Sequence, residues 1–119
     1  MNHWKQIFKR DWKSKLEEAE KEFQSYKQSD KLIYLQQAGN KLFSVVENFL
    51  MYKYNRRVRS HKDLQVLISN NQDDLYLLSQ AVQLHYFFYN ADLQMSRYDA
   101  EALYNGIKQN ILSRLKNIK

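Results

Sequence analysis

The sequence predicts an all-α fold: an up-and-down four-helix bundle with one additional short helix, formed by residues 1–119 as a single domain. Three observations carry this. Proline is absent and glycine occurs only twice, whereas tight β-turns and hairpins draw heavily on both residues. Apolar residues recur every three or four positions along several long stretches, the period of a helix with one buried face. Short polar breaks separate these stretches, two of them with a serine placed to cap the next helix. A chain of 119 residues with 44% apolar content suffices for one core and is too short for two.

The first helix spans about Trp4 to Lys27. Phe8, Trp12, Leu16, Ala19, Phe23 and Tyr26 form its apolar stripe. The other faces carry mixed charge, with Glu17 and Lys21 four apart in the favoured polarity. Gln28-Ser29-Asp30 breaks it, and Ser29 or Asp30 is the expected cap of the second helix. That helix runs to about Tyr54, with Leu35, Ala38, Leu42, Val45, Val46, Phe49 and Tyr52 facing inward. Gly39 lies inside it at a cost of about 1 kcal/mol against alanine. Beside Ala38, it permits close approach of a neighbouring helix.

Asn55 to Arg59 interrupts the pattern, and Ser60-His61-Lys62-Asp63 opens a short third helix with a serine cap and an acidic residue three positions on. Leu64, Leu67 and Ile68 form its apolar side. Asn70-Asn71-Gln72 ends it, and Asp73 with Asp74 suits the positive end of a fourth helix. That helix is expected from about Asp73 to Ala91, with Leu75, Leu78, Ala81, Val82, His85, Phe88 and Tyr89 as its stripe. A second serine cap, Ser96-Arg97-Tyr98-Asp99, starts the last helix, whose inward residues are expected to be Ala102, Leu103, Ile107, Ile111 and Leu115.

With no cysteine, disulfides, cysteine nucleophiles and thiolate metal sites are excluded. No apolar run has the length of a membrane span, and Met1-Asn2-His3-Trp4-Lys5 lacks the apolar region of a secretory signal. The expected location is cytoplasmic. The formal charge of +6 makes contact with nucleic acid or acidic partners easier. No cofactor or metal is expected. The acidic residues stand where caps are needed, no two histidines share a ligand spacing on one helix, and there is no glycine-rich phosphate loop.

Three segments together resemble the HEPN superfamily of small helical bundles. Gln36-Gln37-Ala38 followed by Lys41 is similar to its second-helix signature, and Ser60-His61-Lys62-Asp63-Leu64 to its entrance into the following helix. Ala81, Leu84-His85 and Phe88-Tyr89 resemble the fourth helix of the archaeal PaREP-type branch. The resemblance covers most of the chain, from Leu16 to Leu115. Many members are metal-independent endoribonucleases that act as homodimers, using an arginine followed a few residues on by a histidine. Arg56 and His61 match that motif, with Arg57 standing where active members usually carry a small polar residue or a histidine. The resemblance also implies a homodimer, RNA or a nucleotide as ligand, and a nucleotidyltransferase as a partner that several relatives have.

The residues themselves leave three readings open. In the first, Arg56, Arg57, Arg59, His61 and Lys62 contact RNA. In the second, Arg56 and His61 are catalytic: metal-free cleavage needs a base for the ribose 2′-hydroxyl and a cation for the phosphorane, roles suited to imidazole and guanidinium. In the third, the arginines are solvated, His61 helps close a helix start, and the bundle binds only proteins. His85 lies on an apolar face, where a histidine usually finds one hydrogen-bond partner. With Tyr86, Phe87 and Tyr89 it forms the candidate interface or pocket, because four consecutive aromatics, Tyr86 to Tyr89, encircle a helix and cannot all face one core.

Overall fold

The computed structural model describes residues 3–86 and 95–118, and everything said of structure below concerns those residues. Five helices follow in order: α1 (His3–Ser29), α2 (Leu32–Tyr54), α3 (His61–Leu67), α4 (Gln72–Tyr86) and α5 (Arg97–Leu115). The fold is an all-helical bundle without strands among the described residues. No helix is long and apolar enough to cross a membrane.

The helix α2 is central, and side-chain contacts set the direction of its neighbours. Phe8 packs on Phe49 and Tyr52, while Lys41 reaches Glu22 at 3.0 Å, so α1 and α2 run antiparallel. Asn40 meets His85 and Lys53 meets Asp74, so α2 and α4 are also antiparallel. The helix α5 returns along α1: Tyr104 stacks on Phe23 with ring centroids 4.3 Å apart and donates to Glu20 at 2.7 Å. Burial and that bond to an anionic acceptor push the Tyr104 phenol far above its ordinary range.

The α1 stripe from Phe8 to Tyr26 is buried at every expected position. On α2 the expected stripe is buried except Tyr52, which is half-buried, and Leu50 joins it. Gly39 lies under α4: a β-carbon there would stand 3.1 Å from Leu84 Cγ. This is the close helix approach expected of it.

Several local expectations are corrected. The cap of α2 is Lys31, with no side-chain hydrogen bond. Asp30 instead takes a left-handed backbone (φ 60°), and its carboxylate holds Arg97 at 2.5 Å. The buried face of α4 is Asp74, Leu77, Leu78, Ala81 and Leu84, leaving Leu75, Val82 and His85 half-buried. On α5, Ala102 is exposed, Leu103 is half-buried, and Ala100 and Tyr104 take the inner positions. Phe87, Phe88, Tyr89 and the expected extension of this helix to Ala91 lie outside the described residues.

Asp74 departs furthest from its expected capping role. It is fully buried and collects three donors: Tyr54 Oη at 2.6 Å, Lys53 Nζ at 2.7 Å, and the Arg114 guanidinium. Asn71 does the capping, its Oδ1 accepting from the Asp74 N–H at 2.9 Å. Burial drives the Asp74 carboxyl upward, but the three donors outweigh it and the net shift is down. The same contact and its burial push the Tyr54 phenol up to about 12.

Candidate functional site

The junction between α2 and α3 is built by backbone geometry. Asn55 adopts the left-handed conformation (φ 53°, ψ 42°), its N–H turns back to Met51 and Tyr52 carbonyls, and the Arg56 N–H reaches Met51 O at 3.1 Å. This closes α2 in the manner of a Schellman motif, at a residue type that tolerates positive φ. Val58 packs against the core and ties the loop down. Ser60 Oγ then accepts from the Asp63 N–H at 3.0 Å and starts α3, as the serine cap predicted.

Around Val58 the cations stay outside. Arg56, Arg57 and Arg59 are exposed and hold no ion pair among the described residues. Lys62 is exposed as well. The other three arginines of the chain are all committed: Arg10 to Asp11, Arg97 to Asp30 and Arg114 to Asp74.

His61, the first residue of α3, turns toward α2. Its Nδ1 lies 3.8 Å from Glu47 Oε2, and its ring sits 6.2 Å from that of Phe43. Both ring nitrogens are shielded from solvent and have no hydrogen-bond partner among the described residues. Burial raises the Glu47 carboxyl above its ordinary range, and the nearby imidazole opposes that rise.

His85 approaches Phe43 from α4. The two rings stack at 4.3 Å, with 17° between planes, and Nδ1 is 2.9 Å from Asn40 Oδ1. Phe43 thus touches two imidazoles, one from each flanking helix. Burial lowers the His85 pKa, and the charge on His61 lowers it further. Tyr86 meets the His85 ring edge-on at 4.9 Å and is exposed. The sequence did not pair His61 with His85. The available signal was Asn40, Phe43 and Glu47, polar residues flanking an aromatic at helical spacing on one face of α2.

Not all candidate residues share one surface. Arg57 lines a groove of about 480 Å³ between α1 and α2, together with Ser44 and Asn48. His61 lies against Phe43 and Glu47, each one position earlier and hence about 100° around the same helix. A further open cleft of about 840 Å³ is lined by Lys5, Lys9, Lys53 and Arg114 above Asp74. No local pattern announced it, because its residues come from α1, α2, α4 and α5. Among the described residues no group of three or more metal-ligating side chains stands together.

Comparison of the chain with protein-family models, curated proteins and solved structures gave no match in any of the three.

Proposed function

We propose that this protein is an HEPN-like, up-and-down bundle that binds RNA through the α2–α3 junction. One observation carries the reading. Three of the six arginines pair with carboxylates, and the other three, Arg56, Arg57 and Arg59, are exposed, have no ion pair among the described residues and occupy one short loop. An unpaired guanidinium offers two parallel donors to a phosphate. The net charge of +6 adds long-range attraction. Self-association, as in the superfamily the sequence resembles, would double this cationic surface, and sedimentation equilibrium tests it.

The test is RNA binding across a salt series. Replacing all three arginines with alanine weakens binding and reduces the slope of log K against log salt by about 2, since each lost single-strand phosphate contact removes roughly 0.7. Unchanged affinity and slope in that variant refute the proposal. If no RNA binds at all, the protein-interaction reading stands instead.

A catalytic reading is favoured by one further contact, the Glu47 carboxylate 3.8 Å from His61 Nδ1. A carboxylate at that position orients an imidazole, and a movement of α3 that uncovers Nε2, shielded in this structure, lets it take the proton from a ribose 2′-hydroxyl. The oxygen then attacks the adjacent phosphorus, the bond from phosphorus to the 5′-oxygen breaks as that oxygen takes the proton held by the imidazolium, and Arg56 balances the charge on the phosphorane. Loss of cleavage in both Arg56→Ala and His61→Ala, with the fold intact, selects this reading. Retention of cleavage in either discards it.

A further inference from the structure

We propose that the groove between α1 and α2 docks one unpaired base of single-stranded RNA, with the phosphate next to that base held by Arg57. This rests on the RNA-binding reading above and adds a second point of contact to it.

The groove has the chemistry of a nucleotide site. Its volume of about 480 Å³ falls within the range of roughly 300–1,000 Å³ typical of ligand pockets. Its walls are apolar and aromatic: Trp4, Phe8 and Trp12 from α1, Val45 and Met51 from α2. Phe8 and Trp12 are buried, and half-buried Trp4 is the aromatic that offers a face for stacking, one that suits any base because every base presents a π-face. Ile7, 49% exposed, stands at its lip.

The rim decides what the walls receive. It carries two carboxylates and two lysines besides Arg57, and these four are already paired: Asp11 with Arg10 at 3.2 Å, Lys15 with Glu18 at 3.7 Å and Lys41 with Glu22 at 3.0 Å. Arg57 is not taken by any described carboxylate, and it belongs to both the groove and the cationic loop. Asn48 spends its amide N–H on Ser44, which leaves its Oδ1 as an acceptor for a base edge. An apolar peptide would fill the walls but leave the guanidinium idle. A duplex would present its phosphates but keep its bases stacked away from the indoles. A single strand satisfies both ends.

The chain supplies its own reporter, because both of its tryptophans, Trp4 and Trp12, line this groove. The experiment titrates the full-length protein with a short single-stranded RNA. Indole emission is followed in parallel with anisotropy of a fluorescein-labelled copy of the same RNA. The expected result is a change in emission with the same midpoint as the anisotropy. Duplex RNA of the same sequence leaves the emission unchanged. Trp4→Leu, a charge-neutral change with the fold checked by circular dichroism, weakens single-strand binding roughly five- to 150-fold, the worth of one base–aromatic stack. RNA that binds by anisotropy while emission stays flat and Trp4→Leu binds normally overturns the groove and leaves the junction reading intact. RNA that does not bind at all overturns both. Adenosine 5′-monophosphate changing the emission at the same concentration as the RNA also overturns the assignment to a strand.

Discussion

Glu47 and His61 face each other across the α2–α3 junction, with Oε2 3.8 Å from Nδ1, a separation longer than a hydrogen bond and an ion pair only when the imidazole is protonated. Burial alone would raise the Glu47 carboxyl, and His61 restrains it. His61→Phe keeps a ring over Phe43 and removes the restraint. The Glu47 carboxyl then titrates at higher pH than in the parent protein, read from its side-chain carbon shift by NMR. A titration that stays put or moves down shows that the two groups do not interact.

His85 provides the pH dependence. Its pKa is lowered by burial and then by the charge on His61, from an ordinary value of 6.5. The unfolded chain therefore takes up a proton at higher pH than the folded one does. The contribution of His85 is fully present above about 6.5 and is lost as pH falls through the lower folded value. Urea midpoints at about pH 7.5 and about pH 5.5 measure this window. The parent protein loses more stability between them than His85→Gln does. Other groups contribute equally to both proteins, so the difference between the two losses is the result. Equal losses refute it.

Asp74 has the opposite partners and a larger effect. Asp74→Ala leaves Lys53 and Arg114 as like charges around a cavity and strips Tyr54 of its acceptor. Breaking a buried ion pair by removing one partner costs roughly 3–5 kcal/mol. The lower end applies here, because the Lys53 side chain is 39% exposed and already partly solvated. Tyr54→Phe removes one donor to a charged acceptor and costs about 1.5–3 kcal/mol. The folded-state pKa of Asp74 lies below the ordinary carboxylate value of 3.8, so the support from this carboxylate persists through neutral pH and disappears only as acid protonates it. Urea unfolding of the two variants at neutral pH checks the order, and a smaller loss for Asp74→Ala than for Tyr54→Phe contradicts it.

The sequence made α1 legible because its apolar residues occupy a single face: Phe8, Trp12, Leu16, Ala19, Phe23 and Tyr26 are all buried. It made α4 ambiguous because Leu75, Leu77, Leu78, Ala81, Val82 and Leu84 surround the helix, and no period selects a face. Packing chose Leu77 and Leu84. Tyr104 displaced Ala102 from the core of α5 because its hydroxyl finds Glu20 on α1. Asp74 reads locally as a helix-start residue, and its three donors lie on α2 and α5, out of reach of any local pattern. At the site, the loop of arginines and the serine cap were visible in one short segment. The meeting of His61, Glu47 and His85 at Phe43 required three helices to be placed first.

The two glycines give a paired test of helix packing. Both sit in helix interiors, where alanine is favoured by about 1 kcal/mol. A β-carbon at Gly106 meets nothing within 4 Å. Gly106→Ala therefore stabilises the protein by about 0.5–1 kcal/mol. A β-carbon at Gly39 stands 3.1 Å from Leu84 Cγ, and Leu84 is only 2% exposed and has little room to retreat. Gly39→Ala sets the same helix gain against a shift of α4, so it yields less than Gly106→Ala. Gly39→Val adds two methyl groups to that contact and destabilises by roughly 1–3 kcal/mol, the usual cost of overpacking. Denaturation midpoints of the three variants rank them Gly106→Ala, Gly39→Ala, Gly39→Val. If Gly39→Val is as stable as the parent protein, α2 and α4 do not approach each other at this point.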